Sequence, residues 1–110
     1  MRHSTISILA AALWWLHAVP LPARADELPE VYVKNCASCH GRDGTAKTPA
    51  GRKLGVKDLS KSTLADAQIE QQIREGKLDE KKKSNMPAFK DKLTADEIKS
   101  LVSVVKDFRK

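Results

Sequence analysis

The segment Cys36-Ala37-Ser38-Cys39-His40 constrains this chain more than any other, because it contains the only two cysteines and places a histidine directly after the second. Thiols three positions apart lie on one side of a helical turn, so they act on the same object. Whatever fold forms must build a site around these side chains.

The first 25 residues are expected to be absent from that fold. They run from a basic start (Met1-Arg2-His3) through an apolar stretch (Ile6 to Val19) and Pro20-Leu21-Pro22 to Ala23-Arg24-Ala25, the order of a secretory leader cut after Ala25. The apolar stretch is too short for a bilayer, which takes about 20 residues. Residues 26–110 are then one domain of 85 residues with 18 basic and 14 acidic side chains, a charge of +4 spread along the chain. That pattern is not a nucleic-acid footprint. A domain of this size that keeps only Tyr32, Phe89 and Phe108 as aromatic groups is marginal without something further to stabilise it. Processing also leaves one histidine, His40, and one methionine, Met86.

The periodicities predict an all-α domain. Residues 26–38 suit a helix with Leu28, Tyr32 and Cys36 on one face. Residues 41–60 read as a loop wrapped over the site, with a short helical turn near Asp58 to Lys61. Thr63 and Asp66 have the spacing of a capping box for a helix over 64–75 that carries Leu64, Ile69 and Ile73 inward and stops at Gly76. Residues 77–92 form a lysine-rich loop around Met86. Thr94 and Glu97 cap a last helix whose Ile98, Leu101, Val102, Val105 and Phe108 share one face. No segment alternates as a strand does, and no internal repeat is present.

C-x-x-C-H is the spacing of c-type haem attachment: two thioethers to one edge of a porphyrin, with the histidine reaching the iron from the proximal side. Structural zinc normally takes four protein ligands, more than the processed chain supplies. A thioredoxin-like dithiol needs a βαβ setting, and none is seen. A plain disulfide between Cys36 and Cys39 stays open, although it leaves His40 as a coincidence. Granted haem, Met86 is the one thioether left as a distal ligand. Its place in a loop before Pro87 is odd for core filler. With both axial positions filled, the iron has no open position for oxygen chemistry. No catalytic residue is predicted, and the chain is not read as an enzyme.

These features together resemble a small single-haem class I cytochrome c: Cys36 to His40, Asn85-Met86-Pro87-Ala88-Phe89, and the terminal helix. The resemblance covers residues 26–110. It implies three main helices with loops wrapped around one covalently bound haem c, held by Cys36, Cys39, His40 and Met86, with His40 and Met86 as the metal ligands. It also implies an aromatic packing role for Tyr32 where the first and last helices cross, and a carbonyl at Pro49 that accepts a hydrogen bond from the His40 ring. Leu28 and Val104 depart from the pattern, standing where many members place a glycine and an aromatic residue. Arg52 and Lys53 are either partners for haem propionates or solvated loop charges.

The expected function is single-electron transfer between redox partners in the periplasm, or in a lumen for a photosynthetic source. The expected form is a monomer with no stable membrane insertion. The alternatives are a haem-based sensor and an accessory haem subunit of a larger redox complex. Lys77, Lys81, Lys82, Lys83, Lys90 and Lys92 flank Met86, either as a docking ring for an acidic partner or as solvated loop surface.

Overall fold

Pro29 stands at the N-cap of the first helix, α1 (Glu30–Asn35), where a residue without an N–H leaves no helical bond unmade. The computed structural model describes residues 27–110, so the expected leader and its cut after Ala25 lie outside the described residues. After α1 come α2 (Ala37–His40), α3 (Pro49–Leu54), a single 3₁₀ turn (Leu59–Lys61) and α4 (Asp66–Glu75). A ribbon of β1 (Lys77–Leu78) and β2 (Ser84–Met86) follows, then α5 (Ala95–Phe108).

Three expectations need correction. The first helix is two pieces, because Cys36 adopts φ −124° and ψ −37°, far enough from helical values to redirect the chain. The 41–60 segment contains α3, which Thr48 caps by accepting from the Gly51 N–H (2.9 Å), Pro49 opens and Gly55 ends at φ +63°. Where three main helices were expected, the described residues therefore form five. Finally, α4 starts at Asp66, and Thr63 is not its cap. The N-cap is Ala65, whose N–H donates to Gln68 Oε1 (2.8 Å). Gly76 does end this helix, as expected.

The ribbon also corrects the all-α reading to a helix-rich one with a little strand. It is antiparallel, pairing Lys77 with Met86 and Leu78 with Ser84 across an irregularity. Strands of two and three residues are too short to display alternation, so nothing in the sequence pattern announced them.

The terminal helix packs as its periodicity predicts. Thr94 Oγ1 accepts from the Glu97 N–H (3.1 Å) and Glu97 Oε1 accepts from the Thr94 N–H (3.0 Å), closing the capping box. Ile98, Leu101, Val102, Val104 and Val105 are buried and pack with Tyr32, Ile69, Ile73 and Phe89 into one core. Val104 is thus a core residue too, while Phe108 is half-buried at the core's edge. Tyr32 and Phe108 meet edge to face with ring centroids 5.4 Å apart, tying α1 to the end of α5. A Cβ at Gly44 would lie 2.6 Å from the Phe108 ring, so the loop after α2 closes on α5 only because that residue is glycine. No helix among the described residues is long and apolar enough to cross a membrane.

Candidate functional site

The core is not closed. Between α1–α2 on one side and α4, the ribbon and α5 on the other lies a cavity, partly open to solvent and walled mostly by apolar groups. Cys36, His40 and Met86 all line it, with Leu101 and Val105 of α5 and Ile69 and Ile73 of α4 among its apolar walls. Three of the four predicted site residues, 50 positions apart at the extremes, thus meet at one space. Cys39 sits on α2 one residue before His40 and is half-buried, but it is not among the cavity-lining residues.

The turn that carries His40 is held from several sides. Gly41 ends α2 at φ +79°, with its N–H on the Ala37 carbonyl (2.8 Å). The Tyr32 hydroxyl donates to the Gly41 carbonyl (2.6 Å) from a side chain that is 1% exposed. The Ala46 N–H donates to the His40 carbonyl (2.8 Å). Thr48 serves twice, capping α3 and donating its hydroxyl to the Cys39 carbonyl (3.1 Å). A Cβ at Gly51 would run into that same carbonyl oxygen, so α3 reaches α2 only through glycine.

Electrostatics at the site follow from burial. Burial lowers the His40 pKa and keeps the ring neutral, the form that ligates a metal. Burial, with Cys39 beside it, pushes the Cys36 thiol up to about 11, so it is no thiolate nucleophile at neutral pH. The two cysteines are free thiols. Burial, then the charges of Cys36 and Asp43, raises Tyr32 well above the ordinary phenol value.

His40 Nδ1 is buried without a hydrogen-bond partner among the described residues. The bond expected from this ring to the Pro49 carbonyl is therefore not formed. A buried, unpartnered imidazole, an adjacent thiol pair and a thioether around an apolar cavity are a donor set that fits a covalently held haem. The set does not fit zinc, because the described residues assemble no group of three or more His, Cys, Asp or Glu side chains.

Around the site the basic residues divide. Arg52 and Lys53 are exposed in the last turn of α3 and do not line the cavity. All six lysines flanking Met86 are exposed. Lys90 pairs with Glu75 (3.5 Å), and Lys92 lies 5.6 Å from the centre of the Phe89 ring. Asp79 folds the ribbon's turn by accepting from the Lys81 and Lys83 N–H groups (both 2.9 Å), with Lys82 at φ +59°. Its carboxylate is spent on backbone, so the three ammonium groups face solvent.

Sequence reasoning missed Thr48, Gly51 and Gln72, and read Gly76 only as a helix stop. Thr48-Pro49 with Gly55 after it is a start-and-stop signature of a helix and was available. Gly51 and Gly76 act by admitting the backbone of another element, and Gln72 by bonding a carbonyl four residues on, none of which is a standard sequence signature.

A family model described as Cytochrome C oxidase, cbb3-type, subunit III matches residues 23–103. Among solved structures, the chain is similar to the KustC0563 c-type cytochrome at 37% identity and a TM-score of 0.62, covering 73% of this chain and 94% of that one. It is similar also to a tyrosine-to-phenylalanine mutant of Kustc0563 at 35% identity and a TM-score of 0.59, covering 71% and 93%. No curated protein matches.

Proposed function

We propose, from the premise that this chain belongs to the family described as cbb3-type cytochrome c oxidase subunit III and is a small class I cytochrome c, that it carries one haem c with histidine and methionine as axial ligands and shuttles single electrons. Cys36 and Cys39 hold the porphyrin through two thioethers, His40 binds the iron on one side and Met86 on the other. One observation carries this reading: Cys36, His40 and Met86 share the wall of one mostly apolar cavity.

The haem supplies the one-electron couple. The protein's part is to surround it. Burial keeps His40 neutral for ligation, the aliphatic wall of α4 and α5 excludes water, and a thioether at Met86 favours the reduced state. With both axial positions filled by side chains, the protein is a carrier and not an enzyme.

Residues 1–25 are read as a cleaved signal peptide and 26–110 as the working domain, exported to the periplasm or an equivalent lumen. Lys77, Lys81, Lys82 and Lys83 have no acidic side chain within ion-pair distance among the described residues, which leaves them free to steer an acidic redox partner. Reduction by such a partner should slow steeply as ionic strength rises. A rate indifferent to salt removes the docking role.

The deciding experiment is the mass of the processed protein, made with its haem-attachment machinery, together with its absorption spectrum. The expected result is loss of 25 residues, the gain of one haem and a weak band at the red edge of the oxidised spectrum, which reports sulfur on iron. A colourless protein without added mass overturns the proposal. The family's description as an oxidase subunit favours a second reading, a bound member of a larger complex. The likeness to almost the whole of a c-type cytochrome, 94% of which this chain covers, supports the first reading. Co-purification in a complex that survives high salt would select the second reading.

A further inference from the structure

Gln72 is the one carboxamide among the residues that line the cavity. It is half-buried in α4 and turns its Nε2 back across the last helical turn to donate to the Gly76 carbonyl (2.7 Å). Carbonyls at a helix C-terminus lack an intrahelical partner, and here a side chain supplies one.

Gly76 stands where the Met86 arm passes. A Cβ there would run into the Met86 carbonyl oxygen and lie 2.8 Å from the Ala88 nitrogen. Lys77, the next residue, pairs with Met86 in the ribbon. Downstream, the Phe89 N–H donates to the Ile73 carbonyl (3.0 Å) and the Lys90 N–H to the Arg74 carbonyl (3.3 Å). The end of α4 therefore grips the chain at Met86 and in the residues just after it. Gln72 is the side chain that shapes the grip at Met86, by holding the carbonyl of a glycine at φ +71°.

We propose that Gln72 is a positioning residue for Met86: by tying down the Gly76 carbonyl, it fixes the base of the ribbon so that the Met86 thioether points into the cavity. It acts through Gly76, not on the sulfur. This rests on the reading of Met86 as the distal ligand.

The test uses the haem-loaded protein and adds imidazole, a competitor for the Met86 position. The readout is the red-edge absorption band and the imidazole concentration that removes half of it. Gln72→Leu, similar in length but without a donor, should lower that concentration by about tenfold, the scale of one hydrogen bond. Gln72→Asn, one methylene too short to reach Gly76, should behave alike. Ile98→Val, which thins the core away from the cavity, should leave it unchanged.

Half-displacement within twofold of wild type in Gln72→Leu overturns the role, as does an equal fall in Ile98→Val. Should Gln72→Leu fail to assemble, Gln72→Asn decides by the same criterion. A wild-type protein without the band refutes the Met86 ligation itself and this inference with it. A wild-type band with unmoved variants refutes only the part given to Gln72.

Discussion

The two sides of the cavity are built differently. On the His40 side, side chains from α1 and from the cap of α3 converge on one turn: Tyr32 on the Gly41 carbonyl and Thr48 on the Cys39 carbonyl, with Gly51 admitting α3 against α2. On the Met86 side, residues 77–84 are all exposed, and the arm is held by short strand pairing and backbone bonds to the last turn of α4. The first side is fixed by burial. The second borrows its position from one helix end, and regions with few buried contacts open at lower free-energy cost than the global fold.

The largest effect expected on this contrast comes from removing the tether altogether. A Cys36→Ala, Cys39→Ala double variant should lose its cooperative thermal transition by circular dichroism, since a small domain with an open cavity in its core is marginal. A wild-type midpoint in that variant would show the protein core sufficient. Next come the two glycines. Gly51→Ala should cost about 2–4 kcal/mol in denaturant unfolding, because a Cβ meets backbone that cannot move aside. Gly76→Ala should instead abolish the red-edge band with a smaller loss of global stability; the reverse pattern would invert the contrast.

Hydrogen exchange sharpens it without mutation. Amides of residues 79–84 should exchange at least about 100-fold faster than those of Cys36 and His40, and equal protection would mean the ribbon is as rigid as the turn. Tyr32→Phe removes one buried hydrogen bond and should cost about 1 kcal/mol on the His40 side. The smallest effect is in acid. Hydrogen bonds from Thr45 hold the Asp43 carboxyl below its ordinary value, and the Ser60 hydroxyl does the same for Asp58. Folded values that are depressed contribute stability above the ordinary carboxylate pKa, lost as pH falls through the lowered one. Asp43→Asn should therefore narrow the stability difference between pH 7 and pH 3; an unchanged difference removes the assignment.

Much of this was legible in the residues, for reasons that differ from element to element. Helix α5 announced itself because a capping box and a long one-sided apolar face are local signals. The start of α4 did not, since Thr63 and Asp66 have capping spacing while Gln68 and Ala65 make the actual bond. The piece α3 was legible in Thr48, Pro49 and Gly55 but hidden by the glycine content of its surroundings. The ribbon could not be seen, because its register is set by Gly76 and Asp79 and not by alternation.

By itself the sequence determined the chemistry: a thiol pair, one histidine and one methionine among residues 27–110 leave few things for such a chain to hold. Covalent spacing is local and survives any packing. Tertiary structure alone decided that Met86 faces the same space as His40, that Thr48 and Tyr32 hold the histidine's turn, and that Gln72 and Gly76 carry the methionine's arm. Most of those are meetings of separate elements, fixed by burial and by where glycine permits backbone to touch backbone, and helical periodicity does not encode them.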